Sequence, residues 1–186
     1  MDKIIIRDDD VLVGSSSIKD TFKRFKRVHE LICRAPKHLI HVPNILVEEI
    51  QEFPDCIEYI KVETKAGRMR PELHGYQHID YGKLSSAEVK LHLSRAACWF
   101  KVQLDYYPTK WYTPWGASQP HLHEAAKLLG LKLIDKSKKT NGRYGIVQEI
   151  RNGHKLSDFN EIGIHWWKGR DIENLEWLVE QCNGSI

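Results

Sequence analysis

The four cysteines of this 186-residue sequence, Cys33, Cys56, Cys98 and Cys182, stand too far apart to make a CxxC pair or a zinc-finger spacing. That excludes a cysteine-ligated structural zinc site and a CxxC redox motif. Each cysteine lies in an apolar periodic stretch, which predicts buried free thiols. Long hydrophobic runs are missing too, and no segment approaches the roughly 20 apolar residues of a membrane-spanning helix. No charged-then-apolar leader precedes the run Ile4-Ile5-Ile6, so the expected setting is reducing and cytoplasmic. Charge of one sign is scarce. The 28 Lys and Arg nearly balance 25 Asp and Glu, leaving a net charge of +3 without a basic tail, and no nucleic-acid partner is expected. The basic cluster from Lys136 to Lys139 reads as a solvated loop. Neither an internal repeat nor a low-complexity linker divides the chain. With 41% hydrophobic residues, positions 1–186 are expected to form a single domain around one core.

What is present is an alternation of short apolar runs with longer amphipathic ones. Residues 3–7 read as a buried strand ending in acids. Residues 17–35 keep Phe22, Phe25, Val28, Leu31 and Ile32 at helical spacing, and Pro36 stops the helix. Further strands are expected at 38–44, 71–78, 110–115, 131–135, 144–151 and 161–167. Helices are expected at 45–53, at 55–67 with Gly67 as C-terminal stop, at 84–104, at 119–130 closed by Gly130, and at 171–182. Ser85 or Ser86 followed by Glu88 is a capping-box pattern for the helix at 84–104. Such alternation predicts an α/β fold with mainly parallel strands and outer helices. Ligands in these folds sit at the C-terminal strand ends. Asp8 to Asp10, His74 and His78, Pro114-Trp115-Gly116 and His165 all fall there.

Several of these groups carry chemistry. Three adjacent carboxylates, Asp8-Asp9-Asp10, repel one another unless a cation or an arginine such as Arg7 offsets them. A solvated loop is the plain alternative. His74 and His78 have the i, i+4 spacing by which two imidazoles reach one metal, but without the glutamate of HExxH. A carboxylate is therefore needed as third ligand, and Asp-His-His with an open fourth position is a catalytic arrangement. His165 beside Trp166 and Trp167 suits a general acid in an aromatic pocket; by itself it reads as a core or surface histidine. Residues 112–116 form a turn in which Trp115 either stacks on a sugar or packs in the core.

In this order the motifs resemble those of the NodB-like polysaccharide deacetylases, carbohydrate esterase family 4. IRDDDV (6–11) looks like the family's first motif. HGYQHIDYGKLSSAEV (74–89) is similar to the second, YTPWG (112–116) to the third, and GIH (163–165) to the last. The resemblance implies a deformed (β/α) barrel and one divalent metal ion, most often zinc, on Asp10, His74 and His78. It makes Asp9 the general base and His165 the general acid; Asp8 as base with Asp9 as ligand is the alternative register. Tyr112, Pro114, Trp115 and Trp166 would contact the substrate. The implied activity is hydrolytic removal of an N-acetyl group from a carbohydrate. There are departures. Tyr112 replaces the third-motif arginine that orients the base, with Arg7 as a substitute, and the motif that tunes the acid histidine has only Asp135 as a candidate. A carbohydrate-binding protein with weakened catalysis, and an amidase acting on a non-sugar amide, are the rival readings.

Overall fold

The computed structural model describes residues 3–11, 18–134, 161–165 and 169–184. Its strands are β1 (Ile4–Val11), β2 (Leu39–Leu46), β3 (Glu72–Gly75), β4 (Lys110–Trp111), β5 (Lys132–Leu133) and β6 (Glu161–His165). They form one parallel sheet in the order β5-β4-β3-β2-β1-β6. Parallel neighbours need crossovers, and helices supply them. These are α1 (Ile18–Ile32), α2 (Val47–Ile50), α3 (Pro54–Lys65), α4 (Ser86–Trp99), α5 (Pro120–Leu128) and α6 (Gly169–Gly184). The strands step outward one at a time from β1 to β5 while β6 joins the other side of β1. This is the winding of a (β/α) barrel, as the sequence led us to expect.

The two faces of the sheet differ. Ile6, Ile162 and Ile164 face helices and join Val28, Leu31 and Ile32 of α1 and Leu175, Leu178 and Val179 of α6 in one apolar cluster. A larger cluster joins Leu73 and Trp111 of the sheet to Ile60, Val89, Leu93 and Leu122 of α3 to α5. The opposite face carries polar side chains that meet one another. Arg7 and Asp9 of β1, Asn44 of β2 and Glu161 of β6 are all buried and in mutual contact. A sheet face filled with charge needs partners for each charge, and that requirement shapes the site.

Local sequence explains most element ends. Ser85 caps α4 with the expected box: Glu88 N–H donates to Ser85 Oγ at 3.3 Å, and Ser85 N–H donates to Glu88 Oε2 at 2.8 Å. Gly67 and Gly130 follow α3 and α5 at φ 69° in each case, the left-handed region glycine enters without steric cost. Other expectations need correction. Ile45 and Leu46 belong to β2 rather than to a helix, because they are fully buried and pair with Val11, Leu73 and Gly75. The strand expected at 110–115 ends at Trp111. The helix expected through residue 104 finishes in a wider π turn, Phe100–Leu104, closed by Asp105 at φ 50°. Cys98 is exposed and Cys33 half-buried; only Cys56 and Cys182 are buried, and all four are free thiols. Asp135, Lys136 to Lys139, the strand at 144–151, Trp166 and Trp167 lie outside the described residues. No described helix is long and apolar enough to cross a membrane.

Candidate metal centre and active site

At the end of β1 the pairing slips. Asp8 stands opposite Pro43 of β2 but Val11 opposite Ile45, so β1 carries one extra residue in a bulge. Pro43, which has no N–H to donate, sits where the regular pairing breaks. The bulge turns Asp10 to φ 57° and re-aims its carboxylate. Asp8 instead faces the helix layer, where its Oδ2 lies 3.5 Å from His41 Nε2. Three consecutive aspartates thus have three different surroundings.

Asp10 Oδ1 lies 3.0 Å from His74 Nε2 and 3.1 Å from His78 Nε2. These three side chains are the one group among the described residues whose donor atoms converge as a metal site requires. The protons matter. His74 Nδ1 is hydrogen-bonded to the carbonyl oxygen of Tyr112, which can only accept, so Nδ1 carries the proton. In a neutral His74 ring, Nε2 then presents a lone pair to a carboxylate oxygen. Two acceptors at 3.0 Å need a cation between them, either a proton on Nε2 or a metal ion. A carboxylate plus two imidazoles, one oriented through its second nitrogen, is a donor set that suits a divalent ion such as zinc. Burial works to raise the Asp10 carboxyl, but the hydrogen bonds to His74 and His78 outweigh it and hold the group well below the usual range.

The two histidines are brought together by a pinned loop. His74 is on β3 and His78 beyond its end, so their spacing works here through a bend and not along a helix. The hydroxyl of buried Tyr81 accepts from Tyr76 N–H at 2.8 Å and from Gln77 N–H at 3.3 Å. Gly75 makes room for that hydroxyl, since a Cβ there would lie 2.8 Å from Tyr81 Oη.

Asp9, next to this centre, is 1% exposed. Its Oδ1 accepts a hydrogen bond from Asn44 Nδ2 and lies 3.2 Å from Arg7 Nε. Arg7 also donates from Nη1 to Glu161 Oε1 at 3.0 Å and lies 5.2 Å from the Tyr112 ring centroid. Tyr112, expected at the substrate, is fully buried, and its hydroxyl donates to Glu161 Oε2 at 2.9 Å. Burial, with the Glu161 charge behind it, pushes this phenol far up, so it remains a donor. Pro114 is buried as well. Of the four expected substrate contacts, Trp115 is the one the structure shows at the surface; it is 69% exposed, at φ 52°, with its ring 4.5 Å from that of His78.

His165 ends β6, with Nε2 3.7 Å from Asp10 Oδ2 and Nδ1 3.6 Å from Asp171 Oδ2. Its backbone N–H donates to the same Asp171 oxygen at 2.9 Å. Asp171, in the first turn of α6, therefore stands where a partner for the histidine was sought at Asp135. Sequence reasoning missed Asp171, Asn44 and Glu161. Only Asp171 carried a signal, as an acid at a helix start six residues beyond His165.

No family model and no curated protein matches the sequence. Solved structures do match, and they share the fold of family 4 carbohydrate esterases. A family 4 carbohydrate esterase from Streptomyces lividans, solved with acetate, superimposes with a TM-score of 0.68 at 16% identity, covering 98% of this chain and 87% of that one. A peptidoglycan deacetylase from Bacillus subtilis gives 0.65 at 14%, covering 98% and 82%. A family 4 pseudoenzyme from Bacillus anthracis gives 0.69 at 12%, and the present chain spans 98% of itself but 60% of that protein. A mutant of that pseudoenzyme with restored enzymatic activity gives 0.70 at 13%, covering 98% and 62%. The parallel α/β architecture of the described residues is thus the fold of these family 4 carbohydrate esterases, one of which is a pseudoenzyme.

Proposed function

We propose that the protein is a metal-dependent hydrolase that removes the acetyl group from an N-acetylated carbohydrate. The observation that carries this reading is the convergence of Asp10, His74 and His78, with the proton of His74 placed on Nδ1, beside Asp9 and His165. Asp10 Oδ1, His74 Nε2 and His78 Nε2 would hold a divalent ion such as zinc. Such an ion supplies Lewis acidity, which makes water a usable nucleophile near neutral pH and polarises a carbonyl.

The remaining work falls to side chains. Asp9 takes the proton of the attacking water, and Arg7 and Asn44 keep its Oδ1 fixed while it does so. Water oxygen bonds to the acetyl carbon and the carbon–nitrogen bond breaks. His165 Nε2 gives the departing nitrogen its proton, because an amine anion is too poor a leaving group. Asp171, near His165 Nδ1, favours the ring orientation that directs Nε2 inward. The products are acetate and a free amine. Trp115 offers a sugar ring an exposed aromatic face next to the centre.

The test is acetate release from N-acetylated sugars and oligosaccharides, with and without EDTA. Chelator-sensitive release supports the proposal. Sugar binding without release would make the protein an inactive relative, like the Bacillus anthracis neighbour. Release from non-sugar amides alone would move it to the amidase reading.

A further inference from the structure

α4 buries Val89, Leu93, Ala96 and Ala97 in the core, yet its outward side is not plainly polar. Leu91 is 49% exposed, Cys98 is exposed, and Val102, in the π turn that ends the helix, is 67% exposed. Turns of this wider kind are uncommon and recur at functional sites. Beside this face lies an open groove of about 410 Å³, lined among others by Gln51 at the end of α2 and Gln103 of the π turn. That volume is within the range of small-ligand sites. Two aromatic rings, Tyr76 and Trp99, also line the groove. Both are partly buried and packed on the larger core cluster, which fixes them and leaves part of each ring to the groove. Phe100 braces Trp99 edge-on, with 5.6 Å between ring centroids. Arg95 Cζ lies 5.9 Å from the Tyr76 ring centroid. Gln51 Nε2 donates to the Val47 carbonyl oxygen at 3.0 Å, which leaves its Oε1 an acceptor. No carboxylate is among the described residues that line the groove.

We propose that this groove binds a stretch of N-acetylated carbohydrate chain away from the sugar unit that reacts. The proposal rests on the deacetylase reading for the kind of sugar. A pyranose ring presents a face of C–H bonds that packs on an aromatic ring, and a rim of polar groups that needs hydrogen bonds. Tyr76 and Trp99 offer the first; Gln51, Gln103 and Arg95 offer the second. The groove is joined to the metal-site residues through the chain itself, since Tyr76 stands between His74 and His78 in the loop that Tyr81 pins. Charge then separates substrate from product. Each acetyl group removed leaves a free amine, which is cationic once protonated, and Arg95 with no acid beside it in the groove repels that charge. The groove therefore holds chain that is still acetylated and releases chain already processed.

The probe is the β-1,4-linked hexamer of N-acetylglucosamine, added to the full chain in EDTA so that it is not consumed. The readout is the indole ¹⁵N–¹H resonance of Trp99, identified by its disappearance in Trp99→Phe. It should shift saturably with this hexamer, and the fully deacetylated hexamer should bind at least about 10-fold more weakly. With zinc present, Trp99→Ala should raise KM for the acetylated hexamer about 10-fold, as loss of an aromatic anchor does, and leave kcat and the KM of the dimer within about 2-fold. Arg95→Glu, at an exposed position outside the core, should remove the preference for the acetylated hexamer, which keeps the test independent of any packing lost in Trp99→Ala. A Trp99 resonance indifferent to the hexamer would overturn the proposal. So would one that moves only with protein concentration, as association of two copies through this face would make it. Equal binding of the two hexamers, or equal KM losses on dimer and hexamer, would overturn it as well. Acetate release with an unmoved Trp99 resonance sinks the groove and spares the deacetylase reading; a saturable Trp99 shift without acetate release from any sugar does the reverse.

Discussion

Gly75→Ala tests how His74 and His78 are held together. The new Cβ would lie 2.8 Å from Tyr81 Oη, 2.9 Å from Tyr81 Cε2 and 2.9 Å from the Gln77 carbonyl oxygen. Relief by a few tenths of an ångström at each contact is not available from a swinging side-chain end. Tyr81 is fully buried and bonded to two backbone N–H groups, and the third contact is backbone. Either Tyr81 withdraws and leaves two N–H groups short of an acceptor, or residues 76–78 shift and carry His78 away from Asp10. Overpacking of this kind costs about 1–3 kcal/mol. For a domain of this size, about 2 kcal/mol lowers Tm by roughly 4–8 °C. If the loop shifts, zinc affinity falls about 10- to 100-fold, as when other supports of a ligand are removed. Thermal unfolding of the metal-free protein and competitive zinc titration read the two effects separately. A variant with unchanged Tm and unchanged zinc affinity would refute the view that Tyr81 pins this loop against Gly75.

Other expectations follow from single groups. His165→Ala should keep one bound metal ion and lose turnover by about 10²- to 10⁴-fold, measured as acetate release, since general acid catalysis contributes on that scale. Trp115→Ala should raise KM more than it lowers kcat, because the exposed ring offers substrate a face and, although it packs edge-on against His78, supplies no donor atom to the Asp10, His74 and His78 group; steady-state kinetics on one oligosaccharide decide it. Stability should fall in acid. Burial pushes His41 down to about 3 and, together with the nearby His41 ring, His29 down to about 4. The unfolded chain therefore takes up protons below about 6.5 while the folded rings stay neutral, so stability is intact above that pH and declines towards the folded values. Between pH 7 and pH 5 the two rings together should cost on the order of 4 kcal/mol, read from urea midpoints. A flat profile over that interval would contradict the neutral, buried pair. Ser85→Ala removes the cap of α4 and should cost about 1 kcal/mol in the same assay.

The fold was legible because strand and helix periods alternate cleanly, and because Ser85, Glu88, Gly67 and Gly130 mark helix ends by local chemistry. The convergence of Asp10, His74 and His78 was legible for a related reason. His74 and His78 are close in sequence, and an aspartate after an apolar first strand is the natural third ligand in a parallel fold. Which aspartate converges with the two histidines was not readable, since the bulge at Asp9 and Asp10 arises from pairing with β2. Groups around Asp9 were hidden for the same reason. Arg7 meets Glu161 across 154 positions and Asp9 meets Asn44 across 35, and topology alone brings them together. Tyr112, expected at the substrate through its likeness to the third motif, is buried instead, since the motif gives no sign of which way its side chain faces. Its burial follows from the need of Arg7 and Glu161 for a partner.

The most direct measurement is metal content together with chelator-dependent acetate release from N-acetylated oligosaccharides, made on protein purified without chelator. The account predicts one equivalent of a divalent ion, release that EDTA abolishes and zinc restores, and loss of binding in His74→Ala. Absence of binding even in added zinc would mean that Asp10, His74 and His78 form no metal centre, and the proposed chemistry would fall with it.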